Sequence, residues 1–589
     1  MFLRATTRNK DGKEHRYWSI VENRRVGKKR VVQQTLLYLG EINDCQYASW
    51  TRAIEALESG KGRQVSLFPS DRDVPEGVPD AIQIRLSALT IRNPRQWGGC
   101  WLALELWDQL GLDDFWEERL EKSRKGTDWL LILKSLVVYY LLDPGSEWRL
   151  HRMWYEHSAL RDLLNTNCKT IEKNTLYRCL DHVLPYKDAL TEHLVGRWKA
   201  LFNPSFDVLL YDLTSTYFES DPPFGEDSKR KFGYSRDKRS DCVQVVVALI
   251  VTPEGFPLSY EVLPGNTADN TTLRGFLKRI EERYGKARRI WVMDRGIPTE
   301  EVLTEMRASN VSYLVGTPKG RLTRLEKSFL NLPWEKVQGA VEVKLVDQDG
   351  EMFILARSKD RIAKERAIRK RRLKLLWRRL GEIKAQRKLT RDALQRKIGA
   401  AQKDAGRVAA LVTIAIPDGA GRDEIKEFSF SIDRIKLRSY IRKEGHYLLR
   451  SNISLEKASE LWQMYIQLTN VESAFRTLKS DLAIRPIFHQ LDSRIDAHIF
   501  IVFIAYCLYV TLQHRSRATA PGLTARSILE QMKQLQMVDL TAPTTDGRWL
   551  RMSRFTQPNK TQALLLAQLQ LPLPPQPKPH ITHDLRLLH

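Results

Sequence analysis

The sequence predicts an α/β fold in which a meander of three strands is followed by β-α-β alternation. Three observations predict it. First, FDVLLYDLTSTYF, CVQVVVALIV and PLSYEVL succeed one another from about Asp207 as β-branched, apolar runs, separated by turn signals that include Pro253-Glu254-Gly255. Second, helical spacing over residues 271–284 and 298–309 alternates with the buried-strand patterns of ARRIWVMD and SYLVG. Third, the pattern breaks off near residue 320, a β-rich stretch with one basic helix intervenes, and the chain turns helical again after residue 455. An insertion therefore splits the fold in two. Three meandering strands and then β-α-β is the order of an RNase H-like core.

The flanking elements follow in order. Residues 1–75 contain HRYWSIVENRR and KKRVVQQTLLYLG, short β-like runs that end at Gly40 and predict a small β-rich N-terminal module. Residues 80–203 read as a Trp-rich helical region, with CWLALELWDQLGL, DWLLILKSLVVYYLL and TLYRCLDHVL at helix-compatible spacing. Asp143-Pro144-Gly145-Ser146 breaks it, and a helix with Trp148 and His151 is expected to follow. The core's first part is expected over 204–319, the insertion over 320–453 and the second part over 454–520. The region 521–589 closes the chain, its LPLPPQPKPH read as an extended tail.

Composition narrows the function. Lys+Arg minus Asp+Glu is 95 − 71 = +24, which points to a polyanionic partner, nucleic acid before an anionic membrane. The hydrophobic fraction of 42% argues against global disorder. The longest apolar run, residues 499–512, falls short of the roughly 18–20 residues a membrane span needs. The start MFLRATTRNKDGKEHRYW lacks a signal-peptide core. Six scattered cysteines without a CxxC pair exclude a zinc ribbon or disulfide framework and fit a reducing cytoplasm. No G-x4-G-K-[ST] loop is present, so no nucleotide cofactor is expected.

Within the insertion, residues 361–391 hold 14 Lys/Arg against Glu365 and Glu382. Leu373, Leu376, Leu380 and Ile383 form an apolar stripe beneath that charge, so the segment is an amphipathic helix with a basic face that includes Arg371 and Arg372. That face is either solvated or in contact with phosphates. Trp334 and Trp377 either pack or stack on bases. Lys229, Arg230, Lys231, Arg236, Lys238 and Arg239 cluster between the first two strands, as a solvated loop or one that grips nucleic acid.

Three acids stand out. Asp212 interrupts the apolar run of YDLTSTYF, where burial penalises a carboxylate without a partner. Asp294 ends IWVMD, directly before Arg295 and Gly296, at the strand end where open α/β sheets bind ligands. Glu472, Arg476 and Lys479 fall at i, i+4 and i+7 and would share one helix face. Each acid alone also fits a bland role: a turn cap for Asp212, a turn start for Asp294 and a surface ion-pair ladder for Glu472.

The motifs together are more specific. YDLTSTYF, GYSRDKRSDCVQV, LPGNTADNTTL, WVMDRGIP and YIQLTNVESAFRTLKSDLAIRPIFH occur in this order, and from about residue 205 to 515 they resemble the prokaryotic insertion-sequence DDE transposases with a β-rich insertion before the glutamate. The resemblance implies catalytic, metal-binding roles for Asp212, Asp294 and Glu472. It implies Mg²⁺, with Mn²⁺ able to substitute, and two ions per site. The Y-x2-R-x3-E-x6-K signature falls on Tyr465, Glu472 and Lys479, with Leu468 at the arginine position. DNA contacts are expected from Tyr465, Lys479, Arg476, Arg295, Arg236, Lys238, Arg371 and Arg372. Arg485 and His489 are weaker candidates, and His489 reads more readily as structural. The implied activity is cleavage at terminal inverted repeats and strand transfer into target DNA by a homodimer, cytoplasmic and nucleoid-associated when bound. The alternative is a catalytically inactive RNase H-fold DNA-binding protein.

Overall fold

A computed structural model of the chain describes every residue except 11–12, 27–29, 43–45, 48–49, 52–53, 55–83, 122–125, 167–170, 220–226, 238, 285–288, 318–328, 330–331, 338–340, 387–389, 417–427, 455–456 and 584–589. It divides into two compact units. Unit 1 comprises Met1–Thr6, Arg16–Ala287 and Gln467–His589; unit 2 comprises Thr7–His15 and Arg288–Ile466.

The strands β1 (Phe2–Lys10), β2 (Lys13–Val26) and β3 (Arg30–Gly40) form a three-stranded sheet. In its β2–β3 pair Ser19 lies opposite Tyr38, and Ile20, Val21, Leu37 and Leu39 are buried. The strand β4 (Thr90–Gln96) then leads into helices α1 (Gly98–Gln109), α2 (Trp129–Leu142), the one-turn α3 (Glu147–Arg149), α4 (Lys173–Val183) and α5 (Lys187–Phe202). Asp128 starts α2 by accepting the Leu131 N–H at 3.1 Å, and Ser146 caps α3 at the Arg149 N–H. The strands β5 (Val208–Tyr217), β6 (Gln244–Val251) and β7 (Pro257–Pro264) form an antiparallel meander, followed by α6 (Leu273–Tyr284). Every residue of β6 is buried, which accounts for its unbroken apolar run after Gln244.

Unit 2 carries a mixed sheet. Its strands are β8 (Ile290–Met293), β9 (Ser312–Thr317), β10 (Glu335–Lys336), β11 (Val341–Gln348), β12 (Glu351–Ser358) and β15 (His446–Ser451), in the order β10-β11-β12-β15-β9-β8. Strands β8 and β9 are parallel and joined through the helix α7 (Glu300–Ala308); the other pairs are antiparallel. Between β12 and β15 come α8 (Lys359–Lys384), α9 (Arg391–Ala405), the hairpin β13 (Val412–Ala415) with β14 (Ser429–Ile432), and α10 (Arg434–Arg442). Leu376, Leu380 and Ile383 of α8 are buried against Leu394, Ile398 and Ala401 of α9, so the apolar stripe is packed and the basic side faces out. The helix α11 (Ala458–Ile466) ends the unit.

The chain then re-enters unit 1 through α12 (Leu468–Arg476), a π turn over Thr477–Asp481 and the 28-residue α13 (Asp492–Thr519). The run expected over 499–512 lies inside this longer helix, which is apolar and long enough by composition to cross a bilayer; 94% of its apolar window is buried, as in a core helix. The helix α14 (Ala525–Met532), strands β16 (Gln536–Pro543) and β17 (Trp549–Phe555), α15 (Lys560–Gln568) and β18 (His580–Thr582) follow. Here one expectation is corrected. The four-stranded sheet β18-β17-β16-β4 recruits a strand from the region read as helical, while the Pro-rich segment runs without helix or strand up to β18. TIRNPRQ has neither apolar alternation nor a nearby partner to announce it as a strand; what fixes it is distant. Arg95, 2% exposed, donates to both carboxylate oxygens of the buried Asp539 at 2.8 and 3.0 Å, and to Asp162 at 2.9 Å.

This buried pair yields a stability prediction. Asp539→Ala strands the Arg95 guanidinium with Asp162 alone, and breaking such a pair costs about 3–5 kcal/mol. A clear drop in the denaturation midpoint is expected, whereas Asp546→Ala, which removes an exposed pair with Arg548, leaves the midpoint nearly unchanged.

Candidate active site

Asp212 sits in the middle of β5, opposite Leu249 of β6, half-buried between the buried Tyr211 and Leu213. Its Oδ1 accepts the Leu213 N–H at 2.8 Å. The two neighbouring motifs are held together by close backbone approach. A Cβ on Gly233 would lie 2.1 Å from the Gly265 carbonyl oxygen, and one on Gly265 would lie 1.9 Å from that of Gln244. Only glycine fits at either place. The Gln244 amide locks the junction by donating to the carbonyls of Tyr234 and Gly265, at 3.1 and 2.9 Å. Arg236, from the first motif, pairs with Asp269, from the second, at 2.5 Å. Lys229 pairs with Asp496, Arg239 with Glu219 and Asp241, and the buried Arg230 donates to the Gln490 carbonyl. Much of the basic cluster is thus engaged within the fold. Lys238 lies outside the described residues.

Helix α12 packs on β5 and carries Glu472, which is exposed. Glu472, Arg476 and Lys479 do not share one helix face, contrary to their spacing. The α-helix stops at Arg476 and the next turn is π, so Lys479 leaves the face that i+7 would assign it. Its Nζ is 2.9 Å from Asp237, which also pairs with Arg485. Burial lowers the Lys479 ammonium below its usual value, although Asp237 opposes that shift. Arg476 lines a cleft of ≈ 240 Å³ with Arg517, Arg526, Asp481 and Tyr509. Leu468, at the signature's arginine position, is buried, so a charge there would have no solvent.

Unit 2 holds the third acid. Asp294 follows β8 and is exposed, with Arg295, also exposed, and Gly296 at φ +92° completing the turn. Its Oδ1 accepts the Arg295 N–H at 2.7 Å and the Tyr465 hydroxyl at 3.1 Å. Burial and the adjacent Asp294 charge raise the Tyr465 hydroxyl well above its usual value, so it stays protonated as the donor. Gly316 of β9 makes room for this pair: a Cβ there would lie 2.7 Å from the Tyr465 oxygen, 3.0 Å from the Arg295 nitrogen and 3.2 Å from Asp294 Oδ1. Sequence reasoning missed Gly316 and Asp237. SYLVG ends in that glycine, a signal for close approach inside a strand, whereas Asp237 carried none. Arg371 and Arg372 are exposed on α8. Trp334 is flanked by Lys344 and Arg357, and Trp377, 42% exposed, rests on Phe430.

A mixed α/β fold with one acid within a strand, one just after a strand and one on a helix, set among arginines and lysines, is suited to cutting DNA. The chain belongs to the DDE transposases of insertion sequences: residues 203–508, more than half of it, match the Transposase DDE domain, and residues 3–71 match the IS1634 family transposase, N-terminal domain. Membership brings action on DNA and use of a divalent metal. Among solved structures, a piggyBac transposase synaptic complex with hairpin DNA is similar over 75% of this chain and 82% of its own, at 9% identity and a TM-score of 0.35. No curated protein matches the chain.

The Gly316 contact predicts a measurable defect. Gly316→Ala is expected to push Tyr465 off Asp294 and, with Asp294 as a candidate catalytic acid, to lower DNA cleavage on the order of 10²-fold, the cost of a small misplacement where chemistry occurs. Nicking of a labelled duplex, with thermal melting as the folding control, checks this. Wild-type rates in a well-folded variant would sink the idea.

Proposed function

We propose that Asp212, Asp294 and Glu472 are the metal-binding catalytic acids of an RNase H-like core, split by the insertion, that cleaves DNA at the inverted repeats of its element and joins the freed ends to target DNA. The observation that carries the reading is the position of all three acids within the matched DDE segment. The donor chemistry fits. Three carboxylates offer hard oxygen ligands, which suit Mg²⁺ or Mn²⁺ better than nitrogen or sulfur would. Two such ions, when bound, would neutralise charge on the attacking and leaving oxygens and lower the pKa of a nucleophilic water.

The chain's own groups would do the rest. The Tyr465 hydroxyl holds Asp294 in one orientation. Arg476 and Arg295 would contact phosphates beside the scissile bond, and Arg236, Lys238, Arg371 and Arg372 would contact phosphates elsewhere on the duplex, while Lys479, paired with Asp237, would brace the turn that follows α12. Water attacks phosphorus in the first step and the 3′-oxygen leaves with a proton. The resulting 3′-OH then attacks a target phosphodiester and displaces that strand's own 3′-oxygen. Both are in-line displacements, so one set of acids serves both. A homodimer would pair the two ends.

The test is cleavage of labelled duplexes carrying the terminal repeats, with Mg²⁺, with Mn²⁺ and with chelator. Cuts are expected at the repeat boundary only with metal, falling by on the order of 10³-fold or more in Glu472→Gln. Tight binding without cutting by the unmutated protein would favour the binding-only alternative. Cutting that survives the substitution would move the catalytic role to another acid. Separately, Arg476→Ala, which removes an exposed charge, is expected to weaken binding to all duplexes alike and to reduce the slope of log affinity against log salt by about 1.

A further inference from the structure

Four polar side chains unused by this chemistry meet in the interior of unit 1. Glu147 opens α3 directly behind the Pro-Gly break, Tyr140 is on α2, His489 lies between the π turn and α13, and His498 is on α13. All four are nearly inaccessible, at 2%, 2%, 6% and 3% exposure. Glu147 Oε1 lies 3.0 Å from His489 Nε2 and 3.9 Å from His498 Nδ1, and the three atoms fall within 4.8 Å of one another. The Tyr140 hydroxyl is 3.3 Å from the same carboxylate oxygen and 3.2 Å from His498 Nδ1.

These separations suit a small ion. Zinc bonds of about 2.0–2.2 Å place tetrahedral ligand atoms about 3.3–3.6 Å apart. The surroundings suit one as well. His498 Nε2 lies 3.3 Å from the Ile484 carbonyl oxygen, which only accepts, so Nε2 carries the proton and Nδ1 turns its lone pair inward. A carbonyl behind the ring is the usual outer partner of a metal-bound histidine. Among the described residues no lysine or arginine forms an ion pair with Glu147. A carboxylate this deep, with no lysine or arginine beside it, would be neutralised by a bound cation.

We propose that Glu147, His489 and His498 bind a structural divalent transition metal, zinc by preference, with Tyr140 or a water as the fourth ligand. Imidazole nitrogens favour zinc over magnesium, so this ion differs in kind from those of strand cleavage. It ties α2 and α3 to the start of α13, closing a link more than 300 residues long in sequence, since Glu147 and His489 are 342 positions apart.

The test uses untagged, full-length protein carrying Asp212→Asn and Glu472→Gln, so that ions at the cleavage acids do not contribute. Elemental analysis is expected to find close to one zinc per chain. His489→Ala and His498→Ala should each lose most of it and melt at lower temperature. Should those variants fail to fold, the parent is stripped with a strong chelator and reloaded with Co²⁺, which should give the visible absorption of tetrahedral cobalt. Little or no zinc in the parent together with no cobalt spectrum overturns the proposal, as does zinc content unchanged in both folded histidine variants. Either result would make the cluster a hydrogen-bonded charge network instead.

Discussion

Helix α13 is apolar around nearly its whole circumference, and a helix of that kind must be enclosed. Unit 1 is arranged to enclose it. Helices α1, α2, α4 and α14 pack on it, and its polar groups are spent inside: Tyr506 donates to the Gly255 carbonyl at 3.0 Å and Thr511 accepts from the Trp198 indole at 3.0 Å. Those bonds tie the helical N-terminal region and the turn after β6 to one axis. The segment from α12 to α13 therefore has a fixed end, and α12 has a fixed seat on β5. The position of Glu472 relative to Asp212's strand depends on that seat.

The acids divide into two populations. Asp539, Glu351 and Glu444 are buried, and each has an arginine at hydrogen-bond distance; Glu147 is buried beside histidines. Asp294 and Glu472 are exposed instead. A carboxylate already paired with an arginine, as Asp539, Glu351 and Glu444 are, has little left to offer an ion, whereas Glu147, with no arginine, and the exposed acids keep that capacity. The basic residues divide similarly. Arg95, Arg369 and Arg450 are internal braces, while Arg371, Arg372 and Arg476 keep their charge at the surface. A net charge of +24 therefore understates the contrast between interior and exterior.

Much of this was visible in the residues. The meander β5–β7, strands β8 and β9 with α7 between them, and the amphipathic α8 follow from local period and turn chemistry, because each buries a face that its own sequence displays. What stayed hidden depends on distant partners or on fine backbone geometry. The strand β4 is specified by Asp539 and its neighbours, not by TIRNPRQ itself. The π turn after Arg476 inserts extra backbone per turn that spacing arguments do not anticipate. For the candidate site, the motifs exposed Asp212, Asp294 and Glu472 as acids in unusual places. The role of Tyr465 as a donor to Asp294, and of Gly316 as the gap that admits it, arises from strand neighbours. His489 was legible as structural, yet its company with Glu147 was not, since no local pattern joins them.

The four-stranded sheet of unit 1 also sets a timetable. Strand β4 leaves the ribosome early, but its partner β16 lies beyond the whole of unit 2, with Arg95 and Asp539 separated by 444 positions. At about 5–20 residues per second, the arginine waits on the order of 20–90 seconds for its carboxylate. During that interval β4 is an unpaired edge in a nascent chain still attached to its message. The ability to finish folding is thus delayed until translation is nearly over, and a premature stop between α13 and β16 leaves a polypeptide that contains all three candidate acids but not the sheet that anchors the first of its helices.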